Sequence, residues 1–275
     1  MSNKETTKDS TKELFSVLVK EALTLSNSEP LLKSVLDELI VFRQSFAEVL
    51  AMSLSRKLAS SLLSRSQLEI LFLSTYKENP SIVEDATADL CATMDRDPAC
   101  KSYLEPLLFF KGYQAIQAYR IAHVLWKDER FFLAEMLQSL ISQKFAVDIH
   151  PAAKIGRGIF LDHATGLVVG ETARIGNNVS ILHGVTLGGT GNETGDRHPK
   201  ISDGVMIGAH AQLLGNIHIG KGAKVGAGAV VLEDVPPHVT VAGVPAVKVG
   251  RPENALPSLE MNQNFTRDTN SKPAK

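Results

Sequence analysis

The sequence predicts an α+β protein: an all-helical first part, then a triangular parallel solenoid with one extruded loop and a polar C-terminal tail. Three observations predict it. Of 20 glycines, 19 lie between Gly156 and Gly250, and the other is Gly112. Among the 11 Phe, 4 Tyr and 1 Trp, only Phe160 lies between residues 146 and 250. Across that stretch an aliphatic residue recurs every six positions. The border falls near residues 142–148, giving domains of 1–143 and 144–250 and a tail of 251–275.

The first part has helical periodicity. Apolar residues recur at three and four in Leu14, Leu18, Ala22, Leu25, again in Leu32, Val35, Leu36, Leu39, and in Leu50, Leu54, Leu58. Ser10-Thr-Lys-Glu13, Ser66-Gln-Leu-Glu69 and Ser81-Ile-Val-Glu84 have the spacing of capping boxes. Asp97-Pro98 reads as an acidic N-cap with proline at the first helical position. A long helix is expected after Gly112, packing through Tyr113, Ile116, Ala118, Ile121, Leu125 and Trp126.

The second part obeys a period of six. Ile149, Ile155, Leu161 and Leu167 form one series, and Ile175, Ile181 and Leu187 follow after a shift of two. Ile201, Ile207, Leu213, Ile219, Val225 and Val231 resume after a longer break. A sustained short repeat marks a solenoid. Three hexads make one triangular coil of about eighteen residues, with the aliphatic residue inward and small residues at the corners. From Leu187 to Ile201 is fourteen residues, one hexad plus eight. The surplus lies in GGTGNETGDRHPK, a loop thrown out of the coil, and loops on rigid scaffolds commonly carry function.

Composition excludes several classes. Twenty-nine Lys and Arg against 30 Asp and Glu leave a net charge of −1, so no global basic field awaits nucleic acid. No apolar run approaches a membrane span, and the polar start MSNKETTKDSTKE is not that of a secretory signal. Two cysteines, Cys91 and Cys100, are too few for a disulfide scaffold or a cysteine zinc site, so a cytoplasmic protein with reduced thiols is expected.

The segments DIHPAAKIGRGIFLDHATGLVVGET (148–172), VTLGGTG (185–191), DRHPK (196–200) and GVMIGAHAQLLGN (204–216) resemble the serine acetyltransferases of cysteine biosynthesis. DRDPA (95–99), GYQAIQAYRIAHVLW (112–126) and AGVPA (242–246) share the likeness, which covers roughly residues 85–262. The hexads alone say only hexapeptide acyltransferase; LDHATG with the Arg-His loop is narrower. The resemblance implies a left-handed parallel β-helix behind the helical domain. It also implies a trimer through the β-helix, commonly paired into a hexamer, and acetyl-CoA as co-substrate.

Acetyl transfer from a thioester to an alcohol needs a base, oxyanion stabilisation, protonation of the thiolate and alignment of both substrates. No residue pattern supplies a nucleophile elbow, and both cysteines lie outside the repeat, so direct transfer in a ternary complex is favoured. His163 is the candidate base, because an imidazole titrates near neutrality. Asp148 lies fifteen residues earlier, nearly one coil below, where a carboxylate could orient that ring. The resemblance assigns this dyad to Asp148 and His163, and serine binding to Asp97, Asp162, His163, Arg197 and His198. Arg197 suits a carboxylate, and Asp97 and Asp162 suit an ammonium. For CoA the family pattern suggests Gly189, Ala209, Ala227 and Lys224, although Lys224 reads equally as a solvated charge. His183, twenty residues after His163, is expected one coil above it as a cleft residue, with no metal; His150, His210, His218 and His238 read as structural.

The competing readings are an acetyltransferase for homoserine or a sugar, a metal hydrolyase on the same solenoid, and a non-catalytic scaffold. L-cysteine, serine with sulfur for oxygen, is expected to inhibit. Family members that dock onto O-acetylserine sulfhydrylase end in isoleucine. This chain ends TNSKPAK with Lys275 last, so that partnership is not expected.

Overall fold

A computed structural model of the chain describes residues 3–191 and 194–263. It divides into two compact units, Met1–Phe145 and Ala146–Lys275.

The first unit is helical: α1 (Asn3–Ser28), α2 (Lys33–Leu36) continued by a π turn over Asp37–Val41, α3 (Phe46–Leu58), α4 (Arg65–Glu78), α5 (Ser81–Arg96), α6 (Leu104–Leu108), α7 (Lys111–Lys127) and α8 (Phe131–Phe145). Tyr113, Ile116, Ala118, Ile121 and Leu125 of the expected α7 stripe are inside, but Trp126 is only half-buried, and the helix is buried almost all round, with Gln114, Gln117, Tyr119 and Arg120 inside too. Between α5 and α7 lies a buried ionic cluster. Arg120 donates to Asp89 Oδ2 through Nη2 at 2.7 Å and Nε at 3.1 Å, and Gln117 Nε2 adds a third bond at 3.0 Å.

The helix starts differ from the capping-box expectation. Ser10 lies inside α1 and Ser66 inside α4, while Ser81 is the first residue of α5 behind Pro80. The true capping box is Ser64 with Gln67, two residues upstream of the expected one. Asp97 is the C-cap of α5, not an N-cap. Pro98 disfavours helical dihedrals at the residue before it, and Asp97 takes φ −95°, ψ 105°, which ends α5 there.

The second unit is a parallel β-solenoid of five coils. The first coil holds β1 (Val147–Ile149), β2 (Lys154–Ile155) and β3 (Phe160–Leu161); the second, β4 (Leu167–Val169), β5 (Arg174–Ile175) and β6 (Ser180–Ile181). The third holds β7 (Thr186–Gly188), β8 (Lys200–Ile201) and β9 (Met206–Ile207), and the fourth β10 (Gln212–Leu214), β11 (His218–Ile219) and β12 (Lys224–Val225). The fifth has β13 (Val230–Val231) and β14 (Thr240–Ala242), and β15 (Val247–Gly250) turns back antiparallel on β14. Strands stack into three sheets, β1-β4-β7-β10-β13, β2-β5-β8-β11 and β3-β6-β9-β12-β14-β15.

The register fixes what lies above what. Ile149, Val169, Leu187, Leu213 and Val231 form one inward column, all buried. Coil spacing is 20 residues at Asp148↔Val168, 18 at Val168↔Thr186, 26 at Thr186↔Gln212 and 18 at Gln212↔Val230. The 26 is an ordinary 18 plus the eight residues of the extruded loop, of which Asn192 and Glu193 lie outside the described residues. The two-residue shift is not where the hexad series put it, between Leu167 and Ile175. Val169, not Leu167, stacks on Ile149, so the surplus pair sits earlier, in the corner Asp162–Gly166.

The expected polar tail is partly docked. Beyond β15, α9 (Pro257–Glu260) folds back on the solenoid: Ser180 Oγ donates to the Ser258 carbonyl at 2.7 Å, and Ser258 Oγ donates to the Asn178 carbonyl at 2.6 Å. The terminal TNSKPAK, Lys275 included, lies outside the described residues. Among those residues no helix is long and apolar enough to cross a membrane.

Coil-on-coil contact leaves no room at some corners. A Cβ on Gly208 would lie 2.6 Å from the Ala227 backbone nitrogen one coil above. Gly208→Ala is expected to cost about 1–3 kcal/mol of overpacking strain. A lowered thermal midpoint checks this; an unchanged one would show that the coils can slide apart.

Candidate active site

Two corners of the solenoid carry the unusual side chains. The first joins β3 to β4. Leu161 is buried and anchors its start, and Gly166 N–H donates to the Ala146 carbonyl at 2.7 Å and anchors its end. Between them the surplus pair forces a bulge: His163 and Ala164 both sit in the left-handed region at φ 53° and 56°. Non-glycine residues adopt that conformation at a cost of roughly 1–2 kcal/mol. The bulge leaves the His163 side chain 78% exposed, with Nε2 3.8 Å from Asp162 Oδ1.

The register continues this corner upward. Leu161 pairs with Ile181, Ile181 with Ile207 and Ile207 with Val225, so His163, His183, Ala209 and Ala227, each two residues on, occupy equivalent places. The rings of His163 and His183 meet edge to face at 6.0 Å between centroids, as expected of stacked positions. His183 in turn meets His210 at 4.8 Å and 88°, so His210 belongs to the same column. Nδ1 of His183 is buried without a hydrogen-bond partner.

Asp148 is central in β1, half-buried, and pairs with Val168. By strand alternation it lies on the outer face of its sheet, between the inward residues Val147 and Ile149. That sheet begins at the His163 corner.

The second corner follows the same sheet at its other end. Residues Gly170–Ala173 make the turn, and the base of the extruded loop closes over them. Thr172 Oγ1 accepts from the backbone N–H of Arg197 at 3.0 Å and of His198 at 3.1 Å. Arg197 Nη2 donates to Glu171 Oε2 at 2.7 Å, and Nη1 donates to the Gly195 carbonyl at 3.0 Å. Lys200 Nζ donates to Asp196 Oδ1 at 2.6 Å and to Asn216 Oδ1 at 3.0 Å, pinning the base of the loop to the next coil. The Arg197 hydrogen bond holds the Glu171 carboxyl below its ordinary value. His198 is buried, and its imidazole is pushed below its ordinary value first by desolvation, then by the Arg197 charge.

The structure therefore brings Arg197 and His198 together, and places His163 beside Asp162 and His183. Within one chain it does not bring the two groups together. The three-residue β4, about 10 Å long at roughly 3.3 Å per residue, separates the corners. Asp97 belongs to the helical unit, where its carboxylate accepts from Ala99 N–H at 2.9 Å. Gly189 begins the extruded loop against the Arg197 stem. Ala209 and Ala227 continue the His163 corner, with Gly228 N–H donating to the Ala209 carbonyl at 2.8 Å. Lys224 is not a solvated charge: it is 5% exposed, and burial pushes its ammonium below the ordinary value. It lines a cavity of about 40 Å³ with Arg251, Glu253 and Asn254. Among the described residues no group of three or more His, Cys, Asp or Glu is arranged to hold a metal ion.

The sequence reading missed Gly170, Glu171, Thr172 and the place of His210. Glu171 and Thr172 lie 26 residues before Arg197 and His198, the spacing of the interrupted coil, a signal that the eight extra residues of the loop obscure.

The serine acetyltransferase N-terminal family profile matches residues 14–118, and the bacterial transferase hexapeptide profile (six repeats) matches residues 198–233. The chain is 52% identical over 245 residues to the serine acetyltransferase of Escherichia coli (strain K12), spanning 89% of this chain and 90% of that protein. A solved serine acetyltransferase in complex with cysteine superposes with a TM-score of 0.91 at 50% identity, covering 93% of this chain and 100% of that one. Soybean serine acetyltransferase complexed with serine superposes with a TM-score of 0.86 at 55% identity, covering 87% and 99%.

A histidine whose folded-state pKa is depressed contributes stability that is complete above the unfolded value, about 6.5, and is lost as pH falls through the folded value. The thermal midpoint should decline on acidification below about pH 6.5, and His198→Gln should flatten that decline. Identical midpoint-against-pH curves for the two proteins would contradict it.

Proposed function

The chain belongs to the serine acetyltransferase family and is a serine O-acetyltransferase; from that premise we propose that His163 drives direct acetyl transfer from acetyl-CoA to L-serine. His163 takes the proton of the serine hydroxyl as the oxygen attacks the thioester carbonyl carbon. The tetrahedral oxyanion collapses, the carbon–sulfur bond breaks, and the leaving thiolate takes the proton from the imidazolium. The products are O-acetyl-L-serine and CoA, the first step from serine towards cysteine. Asp148 orients the imidazole and stabilises its cationic form.

The observation that carries this reading is the strained corner that exposes one imidazole at the foot of the column His163, His183, Ala209 and Ala227. Beyond His183 the column narrows to Ala209 and Ala227, and these small residues give an extended thioester a track towards the ring. Asp162, 3.8 Å from that ring, is the nearby anion for the serine ammonium. Arg197 and His198 grip the serine carboxylate.

Because β4 keeps those grips away from His163 of the same chain, the complete site needs two chains. A three-fold assembly of solenoids would set the Arg197 corner of one subunit against the His163 corner of the next, with acetyl-CoA in the groove between them. Helical domains would pair such trimers into a hexamer. L-cysteine offers the same ammonium and carboxylate, and complexes of similar proteins with cysteine and with serine support competition between the two. The free thiols Cys91 and Cys100 suit a reducing cytoplasm.

Thiol release in the presence of serine and acetyl-CoA tests the activity, and its absence from folded protein would remove it. His163→Ala should lower kcat by about a hundredfold or more, the usual share of a general base. The two-chain site has its own test. Arg197→Ala should raise the KM for serine, and oligomers mixed from His163→Ala and Arg197→Ala chains should regain turnover at the unsubstituted protein's low serine KM, which neither variant shows alone. Mixed oligomers no more active than their parents would place both residues in one chain's site.

A further inference from the structure

We propose that Thr172 is a positioning residue that fixes His198 as a neutral Nε2–H donor and sets the Arg197-His198 backbone for the substrate carboxylate. The inference rests on the reading of Arg197 and His198 as that carboxylate's grip.

The hydrogen bonds determine the tautomer. Thr172 backbone N–H donates to His198 Nδ1 at 3.2 Å, so Nδ1 is an acceptor and carries no proton. Thr172 Oγ1 lies 2.9 Å from the same Nδ1. That hydroxyl already accepts from Arg197 N–H and His198 N–H, so its own hydrogen is left for Nδ1. Two donors on Nδ1 place the ring proton on Nε2. Valine has the shape without the hydroxyl: its backbone N–H would still donate to Nδ1, but the second donor to Nδ1 and the acceptor of two backbone N–H groups would be lost.

The ring's place is fixed by a second feature. A Cβ on Gly170 would lie 2.0 Å from both Cδ2 and Nε2 of His198, so the imidazole rests on the bare Gly170 backbone. Gly170 is the floor and Thr172 the clamp. Glu171 between them holds the guanidinium through Nη2. One turn thus orients two donors, a neutral N–H and a cationic guanidinium, through three consecutive residues. A neutral donor beside Arg197 adds a hydrogen bond to a carboxylate without placing a second positive charge against the first.

Thr172→Val and Thr172→Ser test the assignment, alongside Arg197→Ala. Thr172→Val should raise the serine KM by about tenfold, the scale of one or two lost hydrogen bonds, and leave the acetyl-CoA KM within about twofold. Thr172→Ser should restore the serine KM. Solid-state 15N spectra of histidine-labelled protein, with the His198 signal identified by its loss in His198→Gln, should show Nε2–H with a doubly hydrogen-bonded Nδ1 in the parent, and in Thr172→Val an Nδ1 signal shifted by the loss of the hydroxyl donor while the backbone N–H remains. An Nδ1 signal in Thr172→Val identical to the parent's, or a fall in kcat with serine KM unchanged, would overturn the proposal. If Arg197→Ala leaves the serine KM unchanged, the carboxylate reading fails instead, and the 15N shift of Nδ1 alone decides what Thr172 does.

Discussion

Parallel backbone pairing between successive coils fixes everything in the catalytic unit. Each strand is only two to four residues long, too short to hold a register alone, but three faces pair at once and the inward aliphatic columns lock them. A slip by one residue would turn Ile149, Val169, Leu187, Leu213 and Val231 outward together. At about 1.5–3 kcal/mol for each buried aliphatic side chain, such a slip is prohibited by far more than the few kcal/mol at stake in any corner. The corners can therefore carry strain, bulges and unpaired nitrogen without moving the frame.

That hierarchy explains where the chemistry sits. Surplus residues cannot enter the strands, so the pair in Asp162–Gly166 and the eight of the extruded loop both emerge at corners. The first surplus drives His163 into the left-handed region and outward; the second lifts Arg197 and His198 over Gly170 and Thr172. Both corners flank the same sheet, whose outer face carries Asp148. Function is built from departures from the repeat, while the repeat itself keeps their separation constant.

Legibility in the sequence followed the same division. Strict hexads such as Ile207, Leu213 and Ile219 gave the solenoid and its inward face, and the length of the loop was readable as one hexad plus eight. The two-residue shift was misplaced because Leu167 and Val169 are both buried aliphatics and either satisfies the hexad; only pairing with Ile149 separates them. The helix starts failed for a local reason. Serine followed by an acid three residues later recurs inside helices, and only the backbone dihedrals distinguish Ser64 from Ser66. Lys224 read equally as a CoA contact and as a solvated charge, because nothing local to it reveals that the chain returns through Arg251 and Glu253. Glu171 and Thr172 were hidden by the loop, which pushes their partners eight residues beyond the usual coil spacing.

The two arginine pairs show how magnitude separates structure from function. Arg120 and Asp89 are 4% and 0% exposed, and cutting one partner of such a buried pair typically costs about 3–5 kcal/mol. That contact is a fastening between α5 and α7 and has no freedom to give up. Arg197 and Glu171 are 29% and 40% exposed, and a pair so wet contributes only about 0–1 kcal/mol. Glu171 therefore cannot compete strongly with an incoming carboxylate for the guanidinium. It can still choose the direction in which the fork points, since Nη2 is held by Glu171 and Nη1 by the Gly195 carbonyl. A weak partner on an otherwise mobile arginine lowers the ordering cost of binding without taking the charge away from its ligand, and a stronger partner would defeat that purpose.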